Sequence, residues 1–266
     1  MIIDSHAHVD LNDEEKVIGN IKEIIAYMDN MKVDKACLMT AGLSYDIQNL
    51  FTMKEMIYQA ECLSKAAAMY PGRFYPMIWL NPYLPFDFMI DVIKNYILNG
   101  DIIGVKLSVS IKASDKKLEP LAAYLEVHNI PLLYHTWYKT VQKFLFESDP
   151  SDIAILAGKF PALKILMAHL TGCRFRGVQD IKAYPNVMID TSGSQPEDGY
   201  LEYSLNELGA DRILFGSDIT GRDLAVQLAR IDSIDTSKEN REKMLYKNAI
   251  TFFEGRTLDE TYKQNH

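Results

Sequence analysis

The chain has 266 residues and a mass of 30.3 kDa, with a net charge of -8 and a pI near 5.3. That acidic balance opposes nucleic acid and anionic membrane surfaces as partners. A 48% hydrophobic, 24% charged composition without low-complexity stretches excludes a disordered or fibrous chain, and no apolar run is long enough to cross a bilayer.

The sequence enters directly into MIIDSHAH, without the basic and apolar regions of a secretory signal, so a cytoplasmic location is expected. Cys37, Cys62 and Cys173 are odd in number and lack CxxC spacing, which points to reduced thiols rather than a disulfide framework or a Cys-rich zinc site. Cys173, after a loop-like TG, is the one thiol in a position that invites a functional reading.

Eight short β-rich runs follow one another along the chain: IIDSH, DKACLM, FYPMIWL, IIGVKLS, PLLYH, LKILMAH, NVMID and RILFGSD. Their separations leave room for a helix between successive runs, and that alternation predicts a parallel sheet. The first helix is marked by Asn12 or Asp13 as N-cap candidates, Glu14 and Glu15 in the first turn, and an apolar stripe of Val17, Ile18, Ile21, Ile24, Ile25 and Met28. Further helices are predicted over 48–70, 86–98, 118–128, 152–160, 197–208, 224–231 and 239–253, with Pro71-Gly72, Gly100, Pro131, Pro161, Pro185 and Gly209 breaking the chain before strands. No linker divides the sequence, so one domain over 1–256 with a short tail over 257–266 is expected.

Eight βα units can close into a (β/α)8 (TIM) barrel or open into a doubly wound sheet. The polar residues favour the barrel, which gathers residues from the ends of many strands onto one face. His6 and His8 end the first run, His135 the fifth, His169 the sixth and Asp218 the eighth. Alternation along a strand puts His6 and His8 on the same side, so both can address one atom at the barrel mouth. Imidazole and carboxylate suit zinc or a similar divalent ion. His128 and His266 fall outside the pattern. Lys106, at the end of the fourth run, has several readings: it pairs with Asp4, it is carboxylated and bridges two metals, or it orients a substrate carboxylate.

These motifs resemble the amidohydrolase superfamily, in the branch that includes metal-dependent decarboxylases, lactonases and uncharacterised hydrolases. IDSHAH, YHTW, MAHLTG and LFGSD carry the likeness, supported by GVKLS and KNAITFF, in family order from residue 2 to about residue 253. The resemblance implies a (β/α)8 barrel with one catalytic metal, often zinc. By motif His6, His8, His135 and Asp218 are its ligands, Asp218 also handles protons, and His169 polarises substrate or acts as base. It also keeps open, without favouring it, a second metal bridged by carboxylated Lys106. One departure is visible: VS follows GVKLS where many relatives carry a His-Pro-like continuation.

The preferred activity from sequence is hydrolysis of a small amide, lactone, ester or cyclic imide by metal-activated water. The alternatives are nonoxidative decarboxylation of an aromatic or unsaturated acid by the same ligands, and a barrel that binds metal or ligand without turnover. Arg174, Arg176 and Arg222 are assigned to loops after strands, where an acidic substrate would meet them, and Trp137 and Tyr138 are candidate walls of the pocket. The partner expected is a small-molecule substrate; whether the chain forms a homo-oligomer is left open.

Overall fold

A computed structural model describes residues 1–10, 14–40, 50–139, 141, 143–194 and 198–255, without the side chains of 14–16 and 171. The proposed caps Asn12 and Asp13, the predicted helix starts at 48 and 197, and the tail over 257–266 lie outside the described residues.

All eight predicted strands form: β1 (Ile3–Val9), β2 (Lys35–Thr40), β3 (Phe74–Trp79), β4 (Gly104–Leu107), β5 (Leu132–Tyr134), β6 (Ile165–Met167), β7 (Val187–Asp190) and β8 (Ile213–Leu214). They pair in parallel in sequence order. The backbone bonds Ser5 N–H to Phe215 O (2.8 Å) and Asp218 N–H to His6 O (2.7 Å) join the end of the chain of strands to its beginning. This is a TIM barrel.

The helices are α1 (Glu14–Met31), α2 (Met53–Met69), α3 (Phe86–Ile93), α4 (Glu119–Val127), α5 (Pro150–Lys159), α6 (Leu170–Ile181), α7 (Tyr200–Leu208), α8 (Leu224–Asp232), α9 (Lys238–Glu242) and α10 (Asn248–Phe252). All but the short polar α9 bury apolar residues. On α1, Val17, Ile21, Ile24, Ile25 and Met28 are buried, while Ile18 is partly exposed. Capping follows sequence: Thr52 and Glu55 form a reciprocal capping box on α2, and Asp149 with Asp152 does the same on α5.

Helix α6 is absent from the sequence expectation. Its segment LTGCRFRG holds Gly172 and Gly177, and Arg174 interrupts it with φ 57°, ψ 175°. Glycine weakens the helical signal. The consequence is a correction: Arg174 and Arg176 belong to the first turns of a kinked helix rather than to a loop.

Two apolar layers separate at the sheet. On β5 and β6, Leu132, Tyr134, Ile165 and Met167 join the outer layer against the helices, whereas Leu133 and Leu166 join an inner cluster with Met39, Met77 and Phe252. The same alternation on β4 sends Val105 and Leu107 outward and leaves Lys106 on the inner side. On β1 the alternation changes phase. Ile3 packs inside and Ala7 outside, and the pairing with β2 shifts register between Asp4 and Ala7. Asp4 therefore does not lie directly beneath His6 on the same face, as simple alternation predicts. No helix among the described residues is long and apolar enough to cross a membrane.

Candidate metal centre and active-site cleft

The carboxyl ends of the strands bring His6, His8, Lys106, His135, His169 and Asp218 to the rim of one cleft of about 580 Å³. Trp79, Trp137, Phe144, Lys139 and Arg222 complete much of its wall. Residues more than 200 positions apart thus meet because each terminates a strand of the same barrel.

Hydrogen bonds fix which nitrogen of each histidine is free. His6 Nδ1 lies 2.9 Å from Asp190 Oδ2, His8 Nδ1 lies 3.1 Å from Thr40 O, and His169 Nδ1 lies 3.2 Å from Thr136 O. A carbonyl or carboxylate oxygen can only accept, so each Nδ1 carries the proton and each Nε2 presents a lone pair. Those lone pairs converge. His6 Nε2 and His8 Nε2 are 3.0 Å apart, Asp218 Oδ1 lies 3.3 Å from His8 Nε2 and 3.8 Å from His6 Nε2, and Asp218 Oδ2 lies 3.8 Å from His169 Nε2. Three acceptor nitrogens facing one carboxylate repel one another unless a cation stands among them. This donor set, nitrogen and oxygen without thiolate, fits a divalent metal ion. The donor atoms of His6, His169 and Asp218 all lie within 4.8 Å of one another.

Electrostatics agrees with neutral imidazoles. Burial, aided by the Lys106 ammonium, lowers His6 to about 4, and burial together with the neighbouring His135 pushes His169 well below the usual range. Burial alone would raise Asp218, but its contacts with His8, His6 and His169, rings that compete with it for a proton, outweigh burial and hold it below the usual carboxylate range. His169 and Asp218 also share a left-handed backbone, with φ 71° and φ 62°. Such conformations cost about 1–3 kcal/mol for non-glycine residues, and here they aim two site residues across the mouth.

His135 is placed differently from its motif expectation. Its ring stands edge-on to His169 at 4.7 Å, yet its Nε2 lies 2.9 Å from Glu147 Oε1, outside the converging set. Only Nδ1 remains as a donor. Lys106 resolves one alternative: its Nζ lies 3.3 Å from His6 Nε2, while Asp4 receives the Ser217 and His6 backbone N–H groups and the Ser217 hydroxyl. Burial lowers the Lys106 ammonium to about 8.

Among the other predicted residues, Trp137 and Arg222 line the cleft and Arg174 does not; Arg174 is exposed on α6. Cys173 is buried with its thiol near Thr136 Oγ1 (3.4 Å) and is pushed up to about 12 by burial, so it serves packing. Two residues that sequence reasoning passed over are central. Asp190 ends β7 and, besides His6, accepts the His169 backbone N–H at 3.0 Å. Its signal was available, since it terminates NVMID as the histidines terminate their runs. Glu147 lies inside a loop and carries no such signal. Gly216 permits this crowding: a Cβ there would meet Asp190 Cβ at 2.9 Å and His6 Cβ at 3.1 Å.

A closed eight-stranded barrel with histidines and an aspartate converging at its carboxyl mouth defines a class of metal-dependent barrel enzymes. The amidohydrolase model Amidohydro_2 matches residues 3–255, and the chain belongs to that family of enzymes. No curated protein sequence matches it. Solved structures share the fold. The 5-carboxyvanillate decarboxylase of Novosphingobium aromaticivorans, complexed with manganese and 4-hydroxy-3-methoxy-5-nitrobenzoic acid, is 18% identical, with TM-score 0.75 over 95% of this chain and 96% of that one. A dihydroxybenzoic acid decarboxylase of Polaromonas, with bound manganese and 2-nitroresorcinol, is 15% identical, with TM-score 0.72 over 95% and 96%. An uncharacterized TIM-barrel protein of Bordetella bronchiseptica is 16% identical, with TM-score 0.74 over 94% and 97%.

Proposed function

We propose that the protein is a metal-dependent nonoxidative decarboxylase of a small aromatic or unsaturated carboxylic acid. This reading replaces hydrolysis, favoured from sequence, as the leading one. The observation that carries it is the composition of the cleft: lone pairs of His6, His8, His169 and Asp218 converge on one side, and Trp79, Trp137 and Phe144 stand among Lys106, Lys139 and Arg222 on the others. Aromatic walls accept a flat apolar body, and cations accept an acid's oxygens. The aromatic-acid decarboxylases that share the fold support the same reading.

His6, His8 and Asp218 would hold a divalent ion, zinc or manganese, with His135 as a further ligand. When bound, the ion supplies positive charge for the oxygens of the acid. Lys106 and Arg222 orient the carboxylate. Its carbon–carbon bond breaks to release CO2, the electron pair stays on the substrate carbon, and a proton taken up from solvent is passed to that carbon by way of Asp218 and His169. Trp137 and Phe144 keep water from the developing charge.

The experiment is a panel of 2-hydroxybenzoate-type acids set beside lactones, esters and amides, using protein loaded separately with zinc and manganese. CO2 release with retention of the ring supports decarboxylation. Ring or amide opening without CO2 restores hydrolysis, and stoichiometric metal with no turnover on either set favours a binding barrel.

A further inference from the structure

The segment between β5 and α5 leaves the barrel at Thr136 and returns at Ser148. These two residues form a parallel bridge, and Trp137 N–H donates to Ser148 O at 3.0 Å. Between them the chain carries Trp137, Lys139 and Phe144, all facing the cleft. Glu147 stands at the base of this excursion with its side chain fully shielded from solvent. Its Oε1 takes His135 Nε2–H at 2.9 Å and Lys139 Nζ at 2.8 Å, and its Oε2 accepts Phe144 N–H at 3.3 Å. The Glu147 N–H returns a bond to Phe144 O at 3.1 Å. Lys139, tethered there, lies 5.3 Å from the Trp137 ring centre and 4.7 Å from that of Phe144.

A buried carboxylate needs partners, and Lys139 alone would neutralise the charge. The bond to His135 does something a structural ion pair does not require. It settles which ring nitrogen of a cleft histidine carries the proton. We propose that Glu147 is a positioning residue: it holds His135 in the Nε2–H form, leaving Nδ1 as the lone pair, and through Lys139 it fixes the aromatic wall against which the substrate lies. Specificity and the orientation of His135 then share one anchor. The inference rests on the cleft being the reaction site.

The test is the histidine nitrogen NMR spectrum of the 15N-labelled protein, metal-free and zinc-loaded, with the His135 signals assigned by their loss in His135→Gln. Wild type should show His135 as the Nε2–H tautomer. Glu147→Gln keeps an acceptor for His135 but releases Lys139, so the tautomer should persist while KM rises several-fold with kcat nearly unchanged. Glu147→Leu removes the acceptor, and the tautomers should mix, with zinc affinity falling about 10–100-fold. An Nδ1–H His135 in wild type, or an unchanged tautomer in folded Glu147→Leu, overturns the proposal. Should Glu147→Leu not fold, Glu147→Gln decides: an altered tautomer or an unmoved KM overturns it. The spectrum needs no turnover. A wild type inactive on every acid therefore sinks the decarboxylase reading and leaves the tautomer result standing.

Discussion

Asp190 Oδ2 sits 2.9 Å from His6 Nδ1, and both side chains are fully shielded from water. The carboxylate fixes the ring so that Nε2 faces His8 and Asp218, and the same residue accepts the backbone N–H of His169 through its other oxygen at 3.0 Å. One acid therefore orients one donor directly and anchors the backbone of another. Such outer carboxylates raise the basicity of a metal-bound imidazole, and their loss typically weakens metal binding about 10–100-fold. Asp190→Asn should lower zinc affinity by that factor, measured by competition with a chromophoric chelator. Unaltered affinity in a folded variant would show that the pair serves packing alone.

The buried histidines give the metal-free protein an acid-labile centre. His6 is lowered by burial from about 6.5 in the unfolded chain to about 4 in the fold, so between those values the unfolded chain binds more protons. The His6 contribution to stability therefore falls as pH drops through this window, and the full loss is reached below about 4. The shift corresponds to about 3 kcal/mol. His169 and His135, both lowered by burial, act in the same direction. Asp4, pushed up to about 7 by burial, acts in the opposite direction over the same window, so the histidine contribution is read as a difference between variants. In chelator-treated protein, His6→Asn should shift the change in urea midpoint between pH 7 and pH 4 toward greater stability at the acid end than wild type shows, and an identical pH profile in the two proteins would contradict neutral burial of His6.

Much of this was legible in the chain because it depends on local pattern. The barrel strands are short apolar runs, and the first, fifth, sixth and eighth end in a histidine or aspartate, so His6, His8, His135, His169 and Asp218 could be gathered without coordinates. What escaped has physical causes. Helix α6 hides behind Gly172, Gly177 and the kink at Arg174. The phase of β1 cannot be counted through its register shift, so the suggested Asp4–Lys106 pair gives way to Asp4–Ser217 and Lys106–His6 contacts. Glu147 and the bond that turns His135 Nε2 toward it arise from a loop folding back on its own strand, which no periodicity encodes.

Arg222 and Arg174 were equal candidates in sequence and are unequal in space. Arg222 lines the cleft, and among the described residues its shielded Nε has no hydrogen-bond partner. Arg174 stands exposed on α6. Arg222→Met should raise KM for an acid substrate roughly 10-fold, the scale of a charge-assisted hydrogen bond of about 1.5–3 kcal/mol partly replaced by water. Arg174→Met should leave KM within two-fold, on the order expected for a surface site. Steady-state kinetics on both variants decides, and a larger effect at Arg174 would reverse the assignment.

Gly172 is the position where the aromatic wall can be moved without touching a titratable group. A Cβ there would meet Trp137 Cδ2 at 2.8 Å and two further ring atoms at 3.0 Å, closer than packed carbons tolerate. The Gly172 carbonyl meanwhile accepts Tyr138 N–H at 2.7 Å, so the backbone cannot withdraw without breaking that bond. The indole must shift. Overpacking of this kind costs about 1–3 kcal/mol, and because Trp137 stands 5.2 Å from His169 the displacement reaches the cleft. Gly172→Ala should lower the thermal midpoint by several degrees, change Trp fluorescence, and raise KM more than it lowers kcat. Trp137→Ala in the same background should recover the stability, since the clash is gone, but not the KM. Recovery of both would mean that the ring contributes nothing to substrate binding.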